Sequence, residues 1–551
     1  MYLYGGFVMN KKSNYVVQAG ILAMAGILSR FIGLIRRFPM EHIIGDKGNG
    51  YYSVAYEVYA IMLIISCYSM PVAISKIVSA KISKKQFKSA ERVFHCALIM
   101  AAIVGAILVI VCEFLGDFIA AELMLEPMSA FALKVLGPAI FVVSIMSVFR
   151  GYFQGMGTMI PTAVSQIIEQ LFVLVGTLIG ADLLFDYGEK VGRLMHNEDF
   201  APSFGAAGAS IGPVAGSVIG LVFLIVVYIL YKKVNVTAPH RINSENVDAY
   251  SDVFRILFIT VIPFVLSTLV FNISNVIDII IYNNVMIKKG LGDIKAYNWG
   301  VYAGKYKILV YIPVILANAI CSSLVPTLTR LTAKQEYRQA KEVISKSIRY
   351  AMIVVIPGVI GLAVLARPII SMMFKGEINL AVNLLHVGAI LAVFYSIATI
   401  TTGVLHGIDK MMFAVKNAVI ALVIHIALLY GMLQLGIGIN AVIFANIIFA
   451  VIVCASNYFY IKRFLNYRVD YIRTFVVPLI ASVIMGVVIG VISLLINKLV
   501  GNILTVIICT LIGIIVYAVA IILLRGVSED DFNDLPGGQA LFLLVKKFKL
   551  M

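Results

Sequence analysis

Apolar and polar positions alternate in long blocks along this chain of 551 residues. A membrane-spanning helix needs about 20 apolar residues. Fourteen blocks of that kind fall near 14–37, 50–75, 92–115, 128–150, 161–184, 206–231, 252–284, 299–328, 347–370, 380–405, 412–434, 438–461, 474–496 and 502–524. The runs 252–284 and 299–328 exceed the usual length and predict helices that bend or project from the bilayer. The short alternating strands of a membrane β-barrel would give a different pattern. The expected class is an all-α polytopic membrane protein.

Composition points the same way. The chain is 61% hydrophobic and 13% charged, with a mean hydropathy of +0.99, whereas a soluble protein carries about 25% charged residues. A net charge of +16 would suggest nucleic acid on a soluble protein. Here the cations sit in alternate loops, so no nucleic-acid partner is implied. One loop set carries Lys11 and Lys12; Lys81, Lys84, Lys85, Lys88 and Arg92; Lys232, Lys233 and Arg241; Arg330, Lys334, Arg338, Lys341 and Lys346; Lys462, Arg463, Arg468 and Arg473; and Lys546, Lys547 and Lys549. The other set carries Glu113, Asp117, Glu122 and Glu126, then Asp182, Asp186, Glu189, Glu198 and Asp199. The basic set is expected to face the cytoplasm, with both termini inside. The first loop departs from this rule, because Arg36 and Arg37 lie on the side where cations are disfavoured.

Lys11 and Lys12 before an apolar run, with Ala23-Met24-Ala25 after it, have the form of a signal peptide. The run continues well past that site, which favours an uncleaved first span. Met9 is an alternative start to Met1.

Two blocks of sequence recur about 250 residues apart. "RGYFQGMGTMIP" (Arg150–Pro161) parallels "TGVLHGIDKMMF" (Thr402–Phe413), with Gly151 and Gly155 in register with Gly403 and Gly407. "PVAISK…QFKSAERV" parallels "PTLTRL…EYRQAKEV", pairing Pro71 with Pro326 and Ala90 with Ala340. Each unit would hold six spans, and an even number returns the chain to the same side. The expectation is two six-helix lobes in parallel orientation, 1–245 and 246–465, followed by 466–551 with two extra spans and a tail.

Enzyme signatures are lacking. There is no G-x-x-x-x-G-K-[ST] and no H-E-x-x-H. The longest outer loop, about 182–205, is too small for a catalytic domain. The six cysteines fall in apolar segments without a CxxC pair, and the seven histidines show no ligand spacing, so no metal site is indicated.

Ionisable residues inside the spans carry more information. Arg30 lies in the first span, where burial costs roughly 2.5–3.5 kcal/mol on insertion scales. Arg30 and Arg37 share a helix face with Gly26 and Gly33, and Arg36 points about a third of a turn away. These cations either snorkel to the headgroups or line a wet cavity; the flanking glycines favour a cavity wall or a helix contact. Glu57, Arg150, Glu169, Asp278, Lys305, Lys307 and His425 are further candidates, each with the alternative of satisfying a neighbouring helix. Were the lobes to face each other, Arg30, Arg36 and Lys305 could converge on one anion, and the planar fork of arginine suits phosphate.

"SRFIGLIRR", "IIGDKGNGYYSVAYEVYAIMLIISCYSMPVAISKIVS" and "FRGYFQGMGTMIPTAVSQIIEQ" resemble the MOP superfamily of multidrug and lipid-linked-sugar exporters. The match is to its polysaccharide-flippase branch, with the sporulation B-type proteins and Gram-positive lipid II flippases. It spans nearly the whole chain. The resemblance implies a two-lobed transporter that is not an enzyme. It also implies a multi-pass location in the bacterial cytoplasmic membrane and a lipid-linked sugar pyrophosphate as cargo. Ser29, Arg30 and Arg36 match the family's first-helix Ser-Arg…Arg motif; Arg37 stands where many members have an acid. "YAGK" aligns with a Tyr-Ala-Asp-Arg element, so Lys305 replaces an arginine, with Lys307 the alternative. A further family arginine would fall near Ile64 and is absent. The extra helices resemble the element that forms a lipid-tail groove. Some relatives bind sodium, for which Asp278, Asn275 and Asn417 are the candidates; membrane potential is the rival energy source, and no other cofactor is implied. The leading reading is a lipid II flippase. A cation-coupled drug exporter and a non-transporting scaffold for cell-wall synthesis proteins are the alternatives.

The topology has a direct check. Single cysteines at 81–92 and 330–346 are expected to resist an impermeant thiol reagent in intact cells, and those at 182–205 to react. Labelling of Lys85→Cys from outside would reverse the orientation.

Overall fold

The computed structural model describes residues 13–236 and 248–527. Lys11, Lys12, Arg241, Lys546, Lys547, Lys549 and the alternative starts Met1 and Met9 lie outside them. The described residues form helices and no strand. In chain order these are α1 (Ser13–Leu63), α2 (Met70–Ser83), α3 (Phe87–Phe118), α4 (Ala130–Gly155), α5 (Ile160–Met195), α6 (Phe200–Val236), α7 (Tyr250–Lys288), α8 (Gly292–Val301), α9 (Lys307–Ala333), α10 (Tyr337–Val364), α11 (Ala366–Met373), α12 (Asn379–Gly388), α13 (Leu391–Gly407), α14 (Met411–Gln434), α15 (Asn440–Leu465) and α16 (Val477–Leu523).

Among the described residues twelve helical stretches are long and apolar enough to cross a membrane, or thirteen with the pair α12–α13, bent by 47°. Each of the fourteen expected blocks overlaps one of them, and the first two share the 64-residue stretch Gly20–Ser83. That stretch is not one rod. Gly45 interrupts α1 with φ 67° and ψ −179°, a conformation essentially confined to glycine. The polar segment expected as a long outer loop is mostly helix: α5 runs to Met195 and α6 begins at Phe200. Helical spacing explains this, since Glu189 and Arg193 pair at 3.0 Å across one turn.

The contacts group into two compact units, Met1–Gly300 and Val301–Met551. In the first, an aromatic cluster joins α3, α4 and α6: Phe94 lies 5.2 Å from Phe149, 4.6 Å from Tyr152 and 5.0 Å from Tyr228, centroid to centroid. At one end α1 and α8 come close enough that a Cβ on Gly50 would lie 2.0 Å from the Ala296 carbonyl oxygen, and one on Gly300 1.7 Å from that of Asp46. The buried ion pair Lys295–Glu126, at 2.5 Å, ties α8 to the α3–α4 connection. Asn283 on α7 donates to the Met124 carbonyl there at 2.7 Å. Burial, with the nearby Asp199, raises the pKa of Glu126 against the opposing pull of Lys295 and Lys47. Folding therefore favours the protonated carboxyl, and this contribution to stability falls as pH rises through the raised pKa.

The second unit holds α9–α16. Here α16, broken at Gly501, packs on α10 and α11 through Leu365, Met485, Ile489 and Cys509. Tyr517 adds a hydrogen bond to the Ile353 carbonyl at 2.6 Å.

The sequence blocks that recur also adopt recurring local geometry. Lys85 and Gln335 both take a left-handed conformation after a helix, with φ 61° and 60°. The following residues, Gln86 and Glu336, donate back to Lys81 and Leu331. Gly151 and Gly155 bring α4 against Pro71 and Val78 of α2, while Gly403 and Gly407 bring α13 against Cys321 and Leu328 of α9. Small residues let helices approach where lipid provides no hydrophobic drive.

A Cβ on Gly155 would meet Val78 Cβ at 2.7 Å, whereas one on Gly26 meets nothing within 4 Å. Gly155→Ala is expected to destabilise by about 1–3 kcal/mol, and Gly26→Ala to be neutral or stabilising through helix propensity. Thermal unfolding of the two purified variants checks the contrast.

Candidate anion site and buried polar networks

The N-terminal arm of α1 packs along α5, and this contact sets the surroundings of its arginines. Arg36 is 5% exposed. Its Nη1 donates to the Tyr52 hydroxyl at 3.2 Å and to Thr177 Oγ1 at 3.0 Å, and Thr177 in turn donates to the Ala209 carbonyl. Its buried Nε has no hydrogen-bond partner among the described residues. Among the described residues, Arg36 thus holds a buried positive charge against two hydroxyls. Arg37 lies 6.0 Å from the Tyr56 ring centroid, and Tyr56 stacks on Tyr52 at 5.7 Å. Arg30 is exposed, and Ser29 Oγ is buried without a hydrogen-bond partner among the described residues. The structure therefore gathers Arg36 and Arg37 around a tyrosine pair and leaves Arg30 outside that group.

A second group forms in the same unit, between α4 and α5. Arg150 Nη2 pairs with Glu169 at 2.7 Å, and its Nε donates to Ser165 at 3.0 Å. The two candidates satisfy each other, so this charge is neutralised internally.

Lys305 belongs to the second unit. It is fully buried in the π-helical turn Tyr302–Tyr306, and its ammonium donates to the carbonyls of Lys375 at 2.5 Å and Glu377 at 3.1 Å. Lys307, next to it, is half-buried. Among the ion-coupling candidates, Asp278 is buried and Asn275 half-buried on α7 of the first unit, while Asn417 lies on α14 of the second. Asn417 donates to Asn457 at 2.9 Å, and Asn457 donates to Thr401 at 3.3 Å and Thr402 at 3.0 Å. His425 is buried edge-on to Phe449. Glu57 is half-buried.

Sequence reasoning missed Tyr52, Thr177 and Asn457. Asn457 had left a signal, as an amide within the apolar block 438–461; the two hydroxyls had left none.

The described residues thus form helices, twelve or thirteen stretches of them fit to cross a membrane, with one guanidinium buried beside hydroxyls. The family model described as polysaccharide biosynthesis protein matches residues 16–332, and the chain belongs to that family, within the flippase branch of the MOP superfamily. The MatE model matches residues 295–430. "Lipid II flippase MurJ" of Bacillus subtilis (strain 168) is 27% identical over 431 residues, 75% of this chain and 76% of that protein. "Stage V sporulation protein B" of the same organism is 24% identical over 319 residues, 58% of each chain. Among solved structures, "Lipid II flippase MurJ, inward closed conformation" has a TM-score of 0.61 at 16% identity, covering 91% of this chain and 97% of that one. An inward-facing multidrug resistance MATE family transporter gives 0.62 at 14% identity, covering 82% and 98%.

The Asn457 network yields a stability test. An interhelical hydrogen bond in a membrane protein contributes roughly 0.6 kcal/mol on average. Asn457→Leu removes three such bonds and is expected to cost about 1–2 kcal/mol. A melting temperature equal to that of the parent protein in the same detergent would show that these bonds carry no stability.

Proposed function

We propose that this protein flips an undecaprenyl-pyrophosphate-linked saccharide, the peptidoglycan precursor lipid II in the first instance, across the bacterial cytoplasmic membrane. The observation that carries the reading is Arg36: a buried guanidinium, bonded among the described residues to two hydroxyls, with its Nε left over. An uncompensated buried charge costs several kcal/mol, and an anionic ligand would remove that cost. A pyrophosphate offers acceptors to the fork of Arg36, and Arg37 adds charge beside it. The similarity to a lipid II flippase over three-quarters of the chain supports this cargo. Translocation would follow the alternating access of two-lobed transporters.

The assay is outer-leaflet precursor per unit of membrane protein. A charge-assisted hydrogen bond is worth about 1.5–3 kcal/mol, so Arg36→Ala is expected to lower flipping roughly ten- to a hundredfold. Arg36→Lys should retain part of the activity, keeping the charge and losing the fork. Thr177→Val, which removes a hydroxyl and no charge, should have the smaller effect. Normal flipping by Arg36→Ala at normal abundance would end the proposal.

A further inference from the structure

In the second unit, a crevice of about 200 Å³ opens between α10 and the start of the span Ile472–Ile496. One wall is a single face of α10, where Glu342, Ser345, Lys346 and Arg349 recur at helical spacing. The other wall is Asp470, Arg473 and Thr474, at the π-helical turn Ile472–Val476. Ser345 Oγ donates to the Tyr467 hydroxyl at 3.2 Å, which links the two walls.

The lining holds three cations and two acids. Lys346 lies 3.6 Å from Glu342 and Arg473 Nε 4.0 Å from Asp470. Arg473 and Asp470 are both exposed, so their pair contributes little to stability and can be exchanged for a better anion. The half-buried Arg349 stands behind them, its guanidinium 5.6 Å from the Tyr350 ring. Two arginines on facing walls present forks that match phosphate oxygens. Beside the opening, Tyr471, Ile472 and Val476 expose apolar surface at 57%, 65% and 43%.

Cations at the end of a span, flanked by exposed apolar side chains, match a ligand with an anionic head and an apolar body. We propose that this crevice binds the phosphodiester of an anionic phospholipid, with its acyl chains along Tyr471, Ile472 and Val476. Free phosphate shares the head chemistry and leaves the apolar flank unused. Such a lipid would bridge α10 and the C-terminal helices at the π-turn. The site is separate from Arg36, and its failure would leave the flippase reading untouched.

The test uses the full-length protein in detergent, with thermal unfolding followed during titration with phosphatidylglycerol, phosphatidylcholine or inorganic phosphate. Phosphatidylglycerol is expected to raise the unfolding midpoint, and the other two to leave it unchanged. Each cation near an anionic lipid is worth about 1 kcal/mol, so Arg349→Gln and Arg473→Gln should each weaken the phosphatidylglycerol response roughly fivefold. Glu342→Gln should strengthen it, by removing the competing acid from Lys346. If Arg349→Gln does not fold, Arg473→Gln and Glu342→Gln still move the response in opposite directions. An equal response to phosphatidylcholine, reproduction of the shift by inorganic phosphate, or unchanged phosphatidylglycerol dependence in Arg473→Gln and Glu342→Gln would each overturn the assignment.

Discussion

Hydrocarbon offers no hydrogen bonds, and this constraint orders the structure. Each backbone N–H and C=O in a span must be satisfied by its own helix, and the polar side chains must then find partners across helix boundaries. Most of them do so locally. Arg150 has Glu169, Asn417 has Asn457, and Lys305 has two carbonyls of the turn at Lys375–Glu377. Against that background Arg36 stands apart, because hydroxyls share its bonds without cancelling its charge.

Close approach is the second constraint. Helices in lipid gain from contact only as far as their surfaces fit, and glycine sets the depth of the fit. The pairs Gly151–Gly155 and Gly403–Gly407 seat α4 on α2 and α13 on α9. The turns that end these helices match as well, with Gly157 and Asp409 at positive φ. Duplicate packing and duplicate capping together give each unit a similar local scaffold, on which different side chains are placed. The first unit carries the arginine and tyrosine group, and the second the asparagine and threonine network.

The spans were legible because apolar block length is a local property. The recurring glycines were legible because packing leaves small residues at fixed spacing. Arg36 was legible as a cation in the wrong place. Its partners were not: Tyr52 and Thr177 are ordinary span residues, and Thr177 lies 141 positions away. Arg150 and Glu169 were each marked out, but their mutual neutralisation depends on the packing of α4 and α5. Reading 182–205 as loop failed because charge alone does not end a helix. Water can satisfy the polar side chains of a helix that projects beyond the hydrocarbon, and no proline or glycine cluster breaks α5 before Met195.

The break in α1 separates two kinds of control that usually coincide. At most positions in a packed helix a larger side chain is rejected by its neighbours. At Gly45 the neighbouring space is empty, and the objection lies in the backbone, whose φ of 67° and ψ of −179° no residue with a Cβ adopts without strain. A 51-residue rod would run about 75 Å, more than twice the thickness of the hydrocarbon core. Between the arm bearing Arg36 and the arm bearing Tyr52 the helix carries Pro39 and then Gly45, and only Gly45 leaves helical torsions. Alanine at that position would meet no neighbour and would still strain the turn, so the Arg36–Tyr52 hydrogen bond that joins the two arms depends on a residue that touches neither partner.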